Sequence, residues 1–164
     1  MKPRHIIFAA ISAVGIVVDQ ITKISVDRSM NLFDSIPVVE NFFHLTYVRN
    51  KGAAFSFLSD VSWRLPFFIT VSIIACIVIL IAFRKLRDDQ KLAHTSMAMI
   101  FSGAVGNLID RIRIGEVIDF LDVHWYRHHW PAFNVADSLI CVGVVLLAID
   151  MFLEEKRLKT EGNL

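Results

Sequence analysis

The sequence predicts an all-α polytopic membrane protein with four transmembrane helices, organised as a single membrane domain over residues 1–164. Three observations predict it. Hydrophobic residues make up 55% of the chain, well above an ordinary soluble domain. The charged residues, 20% of the total, are gathered into clusters. Between those clusters lie four apolar runs long enough to cross the roughly 30 Å of a bilayer core.

The first span is expected over residues 5–26. Lys2 and Arg4 precede the apolar run Ile6 to Val18, a pattern shared with secretory signal peptides. No small-residue cleavage pattern follows it; Asp19-Gln20-Ile21-Thr22-Lys23 comes next, and the helical pattern continues to about Val26, so the segment reads as an uncleaved span. Residues 27–64 are of mixed polarity. Phe42 to Val48 is rich in aromatic and β-branched residues and predicts a strand. Arg49-Asn50-Lys51-Gly52 reads as a turn, with Ala53 to Leu58 returning as a second strand. The region therefore reads as a small sheet lying on the membrane surface.

The second span is expected over residues 65–83, a run without charge, followed by the charged loop Arg84 to Lys91. The third, over 92–109, is rich in small residues (Ser96, Ala98, Ser102, Gly103, Ala104, Gly106), which let helices approach closely in lipid. Residues 110–132 read as an amphipathic connection. The fourth span is expected over 135–153, and Asp150 near its end reads as a boundary residue.

Placement of Lys and Arg orients the bundle. The N-terminus, the 84–91 loop and the C-terminal tail hold nine basic residues in short pieces; the two long connections hold seven in a far longer stretch. Both termini are therefore expected in the cytoplasm, and both long connections outside.

Several functions are disfavoured. A net charge of +1 without a basic block argues against nucleic acid as a partner. Cys76 and Cys141 lie inside apolar segments, without metal-type Cys/His spacing, and read as small buried or lipid-facing residues. His124, His128 and His129, interleaved with Trp125, Tyr126 and Trp130, read as an interfacial belt rather than a metal site. Ser138 lacks an evident base, which argues against a serine nucleophile. No metal and no cofactor is expected.

What remains is a ring of polar residues at one level of the bundle. The first span ends with Asp19 and Lys23, spaced i,i+4. The outer connections offer Asn50, Gly52 and Asp119; the third span ends with Asn107, Asp110 and Arg111; the fourth opens with Asn134 and Asp137. A carboxylate entering a membrane segment is costly, so Asp137 is a functional-site candidate by default. Two carboxylates at one poorly hydrated site share a proton. The charged member can take a proton from water while the protonated member donates one to a carbonyl oxygen. That is the logic of aspartic proteases, and Asp119 is the expected partner of Asp137. Asp122, three residues on, is a rival for that place, and Asp137 also fits a helix cap.

Five segments, in order, resemble one family: Asp19-Gln20-x-Thr22-Lys23, Asn50-x-Gly52-Ala53-Ala54-Phe55, Gly103-Ala104-x-Gly106-Asn107-x-x-Asp110-Arg111, Val117-x-Asp119-Phe120 and Phe133-Asn134-x-Ala136-Asp137-Ser138. They are similar to the motifs of lipoprotein signal peptidases (signal peptidase II), and the resemblance covers nearly the whole chain. It implies four transmembrane helices with a small extracytoplasmic β-cradle and a periplasmic amphipathic helix, matched to regions 27–64 and 110–132. It implies catalytic aspartates at Asp119 and Asp137, supported by Asp19, Lys23, Asn50, Asn107, Asp110, Arg111 and Asn134. It further implies cleavage of a prolipoprotein just before its diacylglyceryl-modified cysteine in the bacterial cytoplasmic (inner) membrane, and a globomycin-like peptide as an occupant that is not cut.

From the residues themselves, Asp110 and Arg111 read as a structural acid–base pair. Asn107 and Asn134 read as positioners of the aspartates, and Gly52 as serving a tight turn. Asp19 and Lys23 also fit a snorkelling boundary pair. Phe55, Phe57 and Trp125 are candidates for contact with lipid or substrate. The alternative from a different class is a small four-span transporter or channel-like module in which the same aspartates relay an ion or a proton.

Overall fold

The computed structural model describes residues 3–52, 61–160 and 162. Four long helices carry the bundle: α1 (Pro3–Ser29), α2 (Arg64–Lys85), α3 (Lys91–Ile114) and α4 (Val135–Thr160). Each is long and apolar enough to cross a membrane. They run past the charge-free stretches at their ends, because a helix whose middle is fixed in lipid continues into water until a terminator appears. For α3 that terminator is Gly115, whose φ of 77° is the left-handed conformation that ends a helix at little cost in glycine; its N–H reaches back to the Arg111 carbonyl.

α3 is the central helix and packs against α1, α2 and α4. Its small residues make this possible. A Cβ at Gly103 would lie 2.3 Å from the Ala136 carbonyl oxygen, so the backbones of α3 and α4 touch there. Large apolar side chains such as Val14, Ile21, Ile74, Val78, Val145 and Phe152 point away from the bundle, as a lipid-facing surface requires. At one end, Phe8 of α1, Phe83 of α2 and Ala98 of α3 form an apolar cluster. Arg4–Asp88, Arg87–Glu154 and Arg157–Asp89 ion pairs rim that end.

At the other end sits a four-stranded antiparallel sheet in the order β1 (Ser35–Val39), β2 (Phe43–Asn50), β3 (Val117–Trp125), β4 (His128–His129). Val26, Tyr47, Ile118 and Phe120 make the core that joins sheet to bundle. Tyr47 and Arg49 both bond Asp27, fastening β2 to the end of α1. A register irregularity between Leu45 and Val48 bends β2 along β3.

The four helices and the small sheet are as expected, with two corrections. The expected strand at 42–48 is β2, but it runs on through Arg49 and Asn50, so the turn begins at Lys51. The connection 110–132, read as amphipathic and matched to a periplasmic helix, holds the end of α3 and then β3 and β4. The apolar residues of β3 stand at 117, 118, 120, 121 and 123, a spacing that mimics a helix. They do so because both faces of this strand are buried along most of its length. The return strand expected at 53–58, with Phe55 and Phe57, lies outside the described residues.

Candidate active site

Asn134 precedes the first turn of α4 and organises it. Its side-chain Oδ1 accepts the backbone N–H of Asp137 at 2.9 Å, and Asp137 Oδ2 accepts the backbone N–H of Asn134 at 3.3 Å. This is a reciprocal capping box with aspartate in the third position. The cap reading of Asp137 is thus correct for one of its oxygens. The other oxygen, Oδ1, accepts from Asn107 Nδ2 at 2.8 Å.

The same Asn134 amide reaches β3. Its Nδ2 donates to Asp119 Oδ1 at 2.7 Å, with Asn107 Oδ1 and the Ile118 carbonyl each at 3.2 Å. Asp119 Oδ2 accepts from Asn50 Nδ2 at 3.1 Å, and Asn50 Oδ1 accepts the Gly52 N–H at 2.9 Å. The end of β2, the start of β3 and the start of α4 therefore meet around two carboxylates. Both line a cavity of about 550 Å³, with Asn50, Gly52, Asn107 and Arg111 on its polar side. Val117, Phe133 and Ile140 supply apolar wall, and Trp130 stands at it as well.

Asp119 is 3% exposed. Burial, reinforced by the nearby Asp137 carboxylate, pushes its carboxyl up to about 7, against the opposing pull of the Asn50 and Asn134 hydrogen bonds. A proton is therefore available on Asp119 near neutral pH.

Beneath the carboxylates lies a buried ion network. Lys23 Nζ is 3.0 Å from Asp19 Oδ2, 2.9 Å from Asp110 Oδ2 and 2.9 Å from Asn107 Oδ1, which uses all three of its protons. Asp19 Oδ1 in turn accepts the Ala136 N–H at 2.9 Å, within the first turn of α4. Asp110 Oδ2 accepts the Ile118 N–H at 3.3 Å, at the start of β3. The network thus pins both segments that carry the carboxylates. Asp19 and Lys23 are fully buried, so they do not snorkel at a boundary.

Two further readings change. Asp110 does not take Arg111 as its close cation but Lys23; neighbours on a helix diverge by about 100°. Arg111 instead lies over the Phe68 ring and points Nη2 at the Gly52 carbonyl, 3.4 Å away. Asp122 is not on the face of Asp119. An odd separation in a strand puts them on opposite faces, and Asp122 bonds Thr46 and His129. Trp125 is exposed and lies outside the cavity wall formed by the described residues.

The structure brings Asp19, Lys23, Asn50, Gly52, Asn107, Asp110, Arg111, Asp119, Asn134 and Asp137 to one end of the bundle. Sequence reasoning left out Gln20. Its amide donates to Asp19, to Asp110 and to the Gly106 carbonyl, at 3.1–3.2 Å. The signal was available: a polar residue beside Asp19 inside an apolar run.

The fold and site are those of a four-span membrane-type bundle with two carboxylates lining a largely apolar cavity. A family model described as Signal peptidase (SPase) II matches residues 11–153, and the chain belongs to that peptidase family. The lipoprotein signal peptidase of Geobacter metallireducens is 65% identical over 96% of this chain and 97% of its own length. The lipoprotein signal peptidase of Geobacter sulfurreducens is 64% identical over 96% and 98%. A solved bacterial membrane enzyme structure superposes with a TM-score of 0.83 at 33% identity, covering 92% of this chain and 90% of that one. The transporter alternative finds no support among these relatives. Among the described residues, the buried carboxylates and Lys23 also gather at one end of the bundle rather than along a path through it.

Proposed function

We propose that the protein is a membrane aspartic endopeptidase that removes the signal peptide from diacylglyceryl-modified prolipoproteins, cutting just before the lipidated cysteine. Asp119 and Asp137 are the catalytic pair. The observation that carries this reading is their shared contact: one asparagine, Asn134, donates to Asp119 and caps Asp137 at the wall of a single cavity.

The pair holds one proton, favoured on Asp119. The Asp137 carboxylate takes a proton from water as the water oxygen attacks the scissile carbonyl, and Asp119 gives its proton to the carbonyl oxygen. Collapse of the tetrahedral diol returns a proton from its hydroxyl to Asp119. Asp137 passes the water-derived proton to the leaving amine of the cysteine. Asn107 fixes the Asp137 carboxylate and Asn134 the Asp119 carboxyl by donating amide hydrogen bonds to them, and Asn50 donates to Asp119 from β2. Asp19, Lys23, Asp110 and Gln20 hold the supporting backbone; Arg111, with Gly52, faces the substrate chain at the cavity wall. The apolar wall suits a lipid-linked substrate drawn from the membrane. A globomycin-like peptide would occupy the same cavity without being cut.

The enzyme sits in the bacterial cytoplasmic membrane with both termini inside. Arg4, Arg87 and Arg157 rim the end opposite the carboxylates, which supports placing the dyad at the outer face.

The test uses purified protein in detergent with a lipidated precursor. Asp119→Asn and Asp137→Asn should each lower cleavage by at least about 10³-fold while the protein remains inserted and monodisperse. Near-full processing by either variant would overturn the assignment.

A further inference from the structure

The face of the sheet turned away from Asp119 carries a second cluster of chemistry-bearing side chains that the proposed reaction does not use. His44 of β2 stands opposite Asp122 of β3 in the register, and His124 lies two residues beyond Asp122 on the same strand face. His129 of β4 stands opposite His124. Pairing alone therefore directs three imidazoles and one carboxylate to one side of the sheet. Each of His44, Asp122 and His124 offers a ligand atom within 4.8 Å of the other two. The rings confirm the convergence: His44 and His124 meet edge to face at 4.4 Å, and His124 and His129 stack at 4.4 Å.

The hydrogen bonding within this cluster is incomplete. His124 is 5% exposed, yet its Nδ1 is buried without a hydrogen-bond partner. That nitrogen is aimed at Asp122 Oδ1, 3.8 Å away, too far for a hydrogen bond. A buried ring nitrogen left unpaired is costly, and such groups in native structures call for an explanation. The other members are held in place around it. Asp122 Oδ2 accepts from Thr46 Oγ1 at 3.1 Å, Asp122 Oδ1 lies 2.9 Å from His129 Nδ1, and His44 Nδ1 is 3.3 Å from Ser35 Oγ.

We infer that His44, Asp122 and His124 form a binding site for a divalent transition-metal ion of the zinc type, with His129 orienting Asp122 from behind. The donor set decides the class. Two imidazoles and one carboxylate suit zinc and its late first-row neighbours, whereas magnesium and calcium prefer oxygen ligands throughout. Zinc–nitrogen and zinc–oxygen bonds of about 2.0–2.1 Å in a tetrahedron place ligand atoms about 3.3 Å apart. The present spread closes to that value by rotation of half-exposed His44 and a small turn of His124 towards Asp122. Water would complete the shell at the fourth position. His129 supplies the carboxylate hydrogen bond that metal sites commonly use to fix a ligand's orientation. The ion ties β2 to β3 across the sheet, one strand face away from Asp119. It is a clip on the sheet that presents the catalytic carboxylate and has no part in the hydrolysis. The inference stands on this cluster alone and does not depend on the proposed substrate.

The experiment uses full-length, tag-free protein in detergent, stripped with a chelator and titrated with zinc chloride by calorimetry, with metal content checked after dialysis. About one zinc per chain with a micromolar or tighter dissociation constant is expected, together with a higher Tm in the loaded form. His124→Ala and Asp122→Asn should each weaken binding at least about 100-fold, and His129→Ala about 10–100-fold. His128→Ala, one residue away and on the other strand face, should leave it unchanged. Cobalt(II) on the wild-type protein should give a visible spectrum distinct from that of hexaaqua cobalt, a readout that needs no variant to fold. Absence of saturable zinc binding, a cobalt spectrum equal to that of the free ion, or equal binding by wild type and His124→Ala would each overturn the site.

Discussion

Asn134 Nδ2 lies 2.7 Å from Asp119 Oδ1, so the residue that caps α4 also holds the carboxylate of β3. The two jobs are separable by substitution. Asn134→Ser keeps a good cap residue but cannot span both contacts, so it should fold near wild-type stability while kcat falls roughly 10–100-fold. Asn134→Ala should lose activity and also about 1–2 kcal/mol of stability. Thermal unfolding alongside cleavage kinetics checks both; a fully active serine variant would show that the contact to Asp119 is dispensable.

The proton on Asp119 gives a pH dependence with a definite sign. Its folded-state carboxyl lies at about 7, above the usual carboxylate value of 3.8. The folded state therefore binds more protons than the unfolded one between those values. The stability that this group contributes is fully present below about pH 4 and is lost as pH rises towards 7. Asp119→Asn, which cannot ionise, should flatten that part of the stability profile and be the more stable protein at pH 8, by roughly 4 kcal/mol. Unfolding midpoints at pH 5 and pH 8 decide it.

Activity should follow the same proton. Cleavage by the wild-type enzyme is expected to decline on the alkaline side with an apparent pKa near 7 that belongs to the pair. A kcat/KM profile flat from pH 6 to pH 9 would exclude Asp119 as the proton donor.

Lys23 neutralises two carboxylates that have no water to turn to. Lys23→Met should strand Asp19 and Asp110 and cost about 3–5 kcal/mol. Adding Asp110→Asn should recover part of that loss. The measurement is thermal unfolding of the single and double variants in one detergent.

Gly106 sets the spacing between α3 and α1. A Cβ there would lie 2.4 Å from Asp19 Oδ2, so Gly106→Ala must displace the carboxylate that holds the Ala136 N–H. A loss of about 1–3 kcal/mol and a drop in kcat are expected, because the start of α4 moves with it. Unchanged kinetics would show that Asp19 can yield without disturbing Asp137.

The four helices were legible because lipid imposes one simple demand: a long apolar stretch with its backbone bonded internally. The polar ring was legible for the same reason, since Asp19, Lys23, Asp110 and Asp137 break runs that lipid would otherwise keep apolar. β3 was not legible. Its apolar residues imitate a helix because both faces are covered, and covering is a property of the neighbours. The pairing of Asp110 with Lys23 rather than Arg111 was hidden too. Adjacency in sequence says nothing about which side of a helix a charge faces.

By itself the sequence determined how many times the chain crosses the membrane, which residues are too costly there to be idle, and that Asp119 and Asp137 were the pair to test. Only the tertiary structure decided how they are held. A strand puts Asp119 and Asp122 on opposite faces, giving one to the cavity and the other to a histidine cluster that the sequence read as an interfacial belt. The physical reason is that hydropathy is summed along the chain, whereas register and face are fixed by partners brought together from distant segments.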